Sequence, residues 1–508
     1  MRYCCLLFSA GWVAAGLSST AFSADWPTWG GDATRNMVSG ESGLPLHLDP
    51  GKLAPDGITI DPATLQGARW VVPLGTQTYG NPVVAGGRVY VGTNNDRPRD
   101  PRHKGDRGVL LCLEEETGAF LWQLVVPKLI TGNASDWEGL GICSSPTVDG
   151  DRVYLVTNRA EVVCLDAKGL ADGNAGPVVD EARLLAPPGA EPVEPGPRDA
   201  DVLWAFDMRA ALGVIPHNIA SSSPLVVGGR VYATTSNGRD WTHANTPAPF
   251  APALVCLDAA SGALLGEEAS GIGERLYHGS WSSPAYGEVG GRGLVFFGAG
   301  DGFCYAFEPV PVAGPDGRGR LNEAWRCDCN PPAHKARDGK PIAYPDSEGP
   351  SEIVATPVFH EGRVYVAVGQ DPEQGDGVGA LSCIDAATGK PVWTSTKIQR
   401  SLSTVAVAKG LLFTADYAGF VHCLDAATGE SLWTHDMKAH VWGSPLVADG
   451  RVWIGDEDGD LAVLDAAKVK SLRAEISFSG PIYSTPVAAR GVLYIATPAH
   501  LFAFRAPK

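Results

Sequence analysis

The sequence predicts an all-β protein, an eight-bladed β-propeller built from four-stranded antiparallel blades. Three observations carry that prediction. A phrase of short apolar runs separated by turn residues recurs along the chain, and its first run can be counted eight times. The last copy stops after its third run, while a lone apolar run at 69–73 precedes the first copy. A ring in which that N-terminal strand completes the C-terminal blade removes the open edges that a linear array would expose.

The plainest copy spans 403–433, STVAVAKGLLFTADYAGFVHCLDAATGESLW. Apolar runs of this length between Gly-containing turns read as strands. They are A (Val405–Ala408), B (Leu411–Ala415), C (Phe420–Leu424) and D, starting at Trp433. Other A strands begin at Pro82, Pro146, Pro224, Pro284, Pro357, Pro445 and Pro486. The strand-B aromatic follows eight residues later in all but the fourth copy, which carries an insertion before Phe296-Phe297. The pairs Ser144-Ser145, Ser222-Ser223, Ser282-Ser283 and their equivalents are small, as expected where eight inner strands converge on an axis. The D-strand Trp122, Trp204, Trp325, Trp393 and Trp433 are expected to fill the gaps between blades, and Gly266 in the third copy marks a weak seam.

The chain divides into a leader (1–24), an arm (25–67) and the propeller (68–508). The leader has Arg2, an apolar core Leu6–Leu17 and small residues before Ala24, the pattern of an export signal. Its apolar run is short for a membrane span, so an exported chain without one, periplasmic or secreted, is expected. A formal net charge of −17 argues against a nucleic-acid partner, which would ask for a basic footprint. Cys112, Cys164, Cys256, Cys383 and Cys423 recur in register in strand C and read as small buried apolar residues. Cys143, Cys304, Cys327 and Cys329 lie outside that register, and Cys327 and Cys329 could pair with each other or with Cys143.

Function is expected on the face formed by the B–C and D–A connections, because the loops are enlarged there at 94–108, 237–253, 370–379, 127–143 and 326–352. Two long C–D insertions, 168–200 and 309–324, are placed on the opposite face. Three residues before each A strand stand Tyr79, Cys143, Ser221, Trp281, Val354, Leu402, Trp442 and Tyr483. Four of these eight are aromatic, which predicts a stacking platform at the mouth of the axis for a small-molecule or protein ligand. Tyr79, Trp281 and Trp442, with the nearby His217, Asn218, His278, Arg400 and His440, form the candidate binding set. Asp301, Asp416 and Asp456 at B–C turns read as hairpin chemistry. The basic loop 94–107 reads as self-paired through Asp96, Asp100 and Asp106.

The phrase Asp-Ala-x-Thr/Ser-Gly-x-x-x-Trp (Asp385 to Trp393, Asp425 to Trp433) resembles the pyrroloquinoline quinone repeat. That family includes eight-bladed quinoprotein alcohol dehydrogenases and non-catalytic relatives such as the propeller lipoprotein of outer-membrane barrel assembly. The resemblance implies either a binding or scaffold module, or an oxidoreductase that uses pyrroloquinoline quinone with Ca²⁺ on an alcohol or sugar. The enzymes' clamp of adjacent cysteines has no counterpart beyond Cys4-Cys5 in the leader, and their Glu, Asn and Asp calcium set has no mappable match, which favours the binding module.

Overall fold

The computed structural model describes residues 24–187 and 189–506; the leader expectation falls almost entirely outside them. Eight antiparallel blades follow one another in chain order, and within each sheet the A strand pairs with its own B strand. Blade 6, the plainest copy, comprises Ala406–Ala408, Leu411–Ala415, Phe420–Asp425 and Ser431–Asp436. Its A–B turn holds Lys409 and Gly410 at φ +51° and +76°, the double positive φ that a two-residue hairpin of this twist requires. Blade 8 closes the ring as expected. Ala68–Pro73 lies antiparallel to His500–Phe504, with Val71 opposite Phe502.

The repeat phrase is a socket for the preceding blade. Asp385 Oδ1 accepts from the amide and hydroxyl of Thr388, which fixes the C–D turn. Gly389 follows at φ +71°, and a Cβ there would lie 2.6 Å from the Trp325 ring. Trp325 Nε1 donates to Ala386 O at 2.9 Å. The same bond joins Trp70 to Glu115 O, Trp122 to Ala167 O, Trp204 to Ala259 O, Trp393 to Ala426 O and Trp433 to Ala467 O. Each indole thus has its N–H satisfied, as a buried Trp needs, and its ring is buried in every case but Trp393, which is half-buried.

The third blade corrects the weak-seam expectation. A hairpin from the next blade's C–D insertion, Val312–Ala313 and Gly319–Leu321, extends the third blade's sheet to six strands. Leu264–Glu268 pairs in parallel with Gly319–Leu321, and Pro311 lies where a Cβ on Gly266 would fall. Glycine is therefore present because the hairpin occupies the place of the indole. The other insertion runs along the edge of blade 1, which keeps its indole, Trp122. Asp199 bridges Gln123 in parallel, and Arg102 Nη1 reaches Glu194 O at 3.0 Å. Both insertions cover the outer edge of the preceding blade, and the first extends to the B–C loop of blade 1 rather than staying on the far face.

At the axis, each blade's inner corner is bonded to the next. The amides of Asn81, Ser145, Ser223, Thr356, Thr404, Ser444 and Thr485 each donate to a side-chain oxygen of the following blade, making seven links. Between blades 4 and 5, Ser282 Oγ donates to Ala355 O, and Thr356 Oγ1 accepts from Trp29 Nε1 of the arm.

The arm itself circles the opposite end of the channel. It bonds to Val84, Val148, Tyr286, Phe359, Val407 and Val447 main-chain groups in turn, and Ser39 Oγ reaches Ala488 O. Blade 3 is reached through Arg35, which is fully buried and donates to Pro224 O, Pro284 O, Thr28 Oγ1 and Trp29 O.

Four stability outcomes follow. Trp393→Ala should cost about 3–5 kcal/mol from the emptied seam, and Gly429→Ala should also destabilise, because its Cβ would lie 2.5 Å from Trp393 at φ +72°. Gly450→Ala, at φ +69° in open space, should cost only about 1–2 kcal/mol. Denaturant unfolding checks the order. Arg35→Met, which leaves buried carbonyls unpaired, should lose about 2–4 kcal/mol in the same assay.

Candidate functional site

The eight positions ahead of the A strands converge. Tyr79, Cys143, Ser221, Trp281, Val354, Leu402, Trp442 and Tyr483 all line one axial cup of about 480 Å³ on the B–C/D–A face. Trp29 also lines it, so the arm contributes to the cup as well. On one side Tyr79 stacks on Tyr483 (centroids 5.1 Å, 11° apart), and Trp442 stands edge-on to Tyr483 at 5.1 Å. Trp281 and Trp137 belong to the same wall lining, together with Asn218, Asp371 and Glu373. Among the described residues no Lys or Arg lines the cup. Asn218 Oδ1 is buried and has no hydrogen-bond partner. Burial raises the Asp371 carboxyl above its usual range.

Behind Trp281 the structure assembles a histidine cluster that spacing revealed only in part. His217 and His278 lie ahead of the A strands of blades 3 and 4, and both are fully buried. His243, which sequence reasoning missed, comes from the enlarged B–C loop of blade 3. That loop is laced to both histidine-bearing segments by bridges Pro216–Asn237 and Gly238–Gly279. Gly238 has no room for a side chain, since a Cβ would lie 2.6 Å from His217 Cβ. Arg239 Nη1 holds His243 O at 2.8 Å. His217 Nε2 lies 2.7 Å from His278 Nε2 and 3.2 Å from His243 Nε2. Burial pushes His217 down to about 3 and His278 to about 4, so both imidazoles are neutral near pH 7. Burial pushes the nearby Glu352 carboxyl up to about 7.

The other two candidates stand apart. Arg400 is buried and donates to Asp346 O and Gln374 O, tying two loops together. His440 stacks on Tyr417 at 4.3 Å and bonds Tyr417 O through Nδ1; neither residue lines the cup. The turn carboxylates brace their own hairpins: Asp416 bonds Phe420 N and His422, and Asp301 bonds Tyr305. In the basic loop, Asp100 pairs Arg102, while Asp96 and Asp106 bond Thr76 and Gly139 N. The nine described cysteines are all free, with Cys143 in the cup wall and the five strand-C cysteines buried.

The repeat, the blade count and this axial cup define a propeller of pyrroloquinoline-quinone-like repeats. The family model described as outer membrane protein assembly factor BamB matches residues 60–239, 322–413 and 377–472, and the chain belongs to that family. No curated protein matches the sequence. Among solved structures, BamB from Moraxella catarrhalis is similar at 15% identity and TM-score 0.53, covering 86% of this chain and 98% of its own. A europium-containing methanol dehydrogenase is similar at 11% identity and TM-score 0.57, with 93% and 89% covered. Quinohemoprotein alcohol dehydrogenase ADHIIG from Pseudomonas putida HK5 is similar at 12% identity and TM-score 0.57, with 96% and 81% covered. At these identities the likeness is one of fold.

The residues present do not suit a quinone of that enzyme kind. Pyrroloquinoline quinone carries three carboxyl groups, whereas the cup offers Asp371 and Glu373 and no basic side chain. Among the described residues Cys143 is the one cysteine in its lining, and its chain neighbours are Ile142 and Ser144, so it forms no clamp of adjacent cysteines.

The brace formed by Asp456 gives a pH signature. Its Oδ1 accepts from Asp460 N at 2.8 Å, and burial pushes its carboxyl up to about 6. Between the ordinary value of 3.8 and about 6 the folded state holds the proton more tightly, so stability falls as pH rises through that window. Asp456→Asn keeps the acceptor and should flatten this slope in melting temperatures followed across that range.

Proposed function

We propose that this chain is an exported binding or scaffold module that works through its axial cup. The observation that carries the reading is the convergence of aromatic walls and two carboxylates on one cavity without a basic residue. Such a cup suits a ligand that presents a planar or cationic group. An indole or phenol face attracts a cation by roughly 0.5–2 kcal/mol, more as water is excluded. Asp371, Glu373 and the unpartnered Asn218 Oδ1 supply acceptors for its N–H groups. A guanidinium-bearing segment of a protein partner, or a small cationic ligand, meets that description.

Export is supported by the charged and apolar N-terminal stretch. Among the described residues no helix is long and apolar enough to cross a membrane. The family, that of an outer membrane protein assembly factor, supports the same compartment and a protein partner. The dehydrogenase reading has the fold in its favour and the cup's charge against it.

Titration with arginine-rich peptides and quaternary ammonium compounds, followed by tryptophan fluorescence and calorimetry, should give saturable binding. Trp281→Ala or Trp442→Ala should weaken it about tenfold or more, the scale of one lost aromatic contact of 1–2 kcal/mol. Saturable binding of pyrroloquinoline quinone with Ca²⁺, followed by dye reduction with an alcohol, would instead establish the enzyme.

A further inference from the structure

We propose that His217, His243 and His278 bind one divalent first-row transition-metal ion through their Nε2 atoms, at a site separate from the cup's ligand. The three residues come from two D–A connections and one B–C loop, and their ligand atoms all lie within 4.8 Å of one another. Metal–nitrogen bonds of about 2.05 Å in a tetrahedral site separate neighbouring nitrogens by about 3.3 Å. The observed 3.2 Å between His217 and His243 matches that spacing, and the 2.7 Å between His217 and His278 needs to open by about 0.6 Å to reach it.

Hydrogen bonding alone leaves this cluster badly matched. A neutral imidazole has one N–H. His217 Nδ1 lies 2.7 Å from Arg239 O, a pure acceptor, so its proton is on Nδ1 and its Nε2 is a bare lone pair. That lone pair faces two other Nε2 atoms. If His278 donates its Nε2 proton to it, the bare Nδ1 of His278 points at a carboxylate, Glu352 Oε1, 3.7 Å away. In that state His278 Nδ1 and Glu352 Oε2 are both buried without a partner.

A cation among the Nε2 atoms resolves the conflict between the histidines. It uses the three lone pairs, moves the His278 proton to Nδ1, and aims it at Glu352. His217 is then oriented by a backbone carbonyl and His278 by a carboxylate, the two outer partners usual for a metal-bound histidine. Three imidazoles suit zinc, cobalt, nickel or copper rather than calcium or magnesium, which prefer oxygen. A three-nitrogen set leaves a fourth position open for water or an incoming donor.

Backbone strain gathers at the same place. Asn218, Ser236 and His243 hold φ of +58°, +57° and +58°, outside the A–B hairpin turns that account for Lys409, Asp449 and Arg490. Such conformations cost of order 1–3 kcal/mol each and persist where the surroundings over-determine them. His243 is exposed, so an ion can reach the site from solvent.

The test uses untagged full-length chain stripped with a chelator and titrated with Co²⁺ alone. The expected result is one cobalt per chain, with the intense visible absorption of a four-coordinate site and a raised melting temperature. His243→Ala, a change on the exposed loop, should weaken cobalt binding by at least about 100-fold while circular dichroism stays that of the parent. Glu352→Gln should weaken it about 10–100-fold, and His440→Ala should leave it unchanged. Stripped protein that takes up no cobalt, or equal affinity in the parent and His243→Ala, would overturn the proposal. Because cobalt is the sole ligand added, either outcome leaves the cup's own ligand to be judged separately.

Discussion

Eight strands meeting on one axis bring eight inner corners together where little side-chain volume fits, and the bonding of those corners holds the rest in place. An amide ahead of each inner strand must find an acceptor once it is buried there. In this chain it finds the hydroxyl or amide oxygen of the following blade, from Asn81 around to Thr485 and back. Small Ser and Thr side chains serve both needs, since they fit the crowded axis and accept the bond. The arm completes the closure from the other end, with Trp29 meeting Thr356 and Arg35 satisfying carbonyls of blades 3 and 4.

The outer seams obey a second rule. A blade either offers an indole to a main-chain carbonyl in the C–D turn of the next, or has its seam filled by other means. Blade 3 takes a hairpin across Gly266, and in blade 7 Ala474 stands in the indole's register while Phe478 packs edge-on against Phe502. The insertions that break the repeat are therefore part of the scaffold. They cover exposed strand edges, which otherwise invite pairing with other chains.

Blade count, ring closure and the eight wall positions of the cup were legible because each is fixed by register against a repeated strand. Tyr79 and Trp281 could be placed in one cup from their distance to the next proline. Spacing could not place His243, which sits in an insertion with no register to count from. It also misjudged Arg400 and His440, whose polar groups face main-chain carbonyls rather than the cup. Gly266 read as an empty seam because its filler lies some fifty residues ahead in the next blade's insertion. Local pattern reports the repeat, and long insertions are decided by tertiary contacts.

The picture is of a cup whose shape is set by a bonded ring below it, so that recognition rides on a stiff frame. Amide hydrogen exchange on the free protein measures this directly. Peptides covering the inner corners at Ser145, Thr404 and Ser444, and the arm from Trp26 to Ser39, should exchange as slowly as the core strands, while loop 95–106 exchanges fast. Rapid exchange of the arm and the inner corners, at the rate of that loop, would contradict the account.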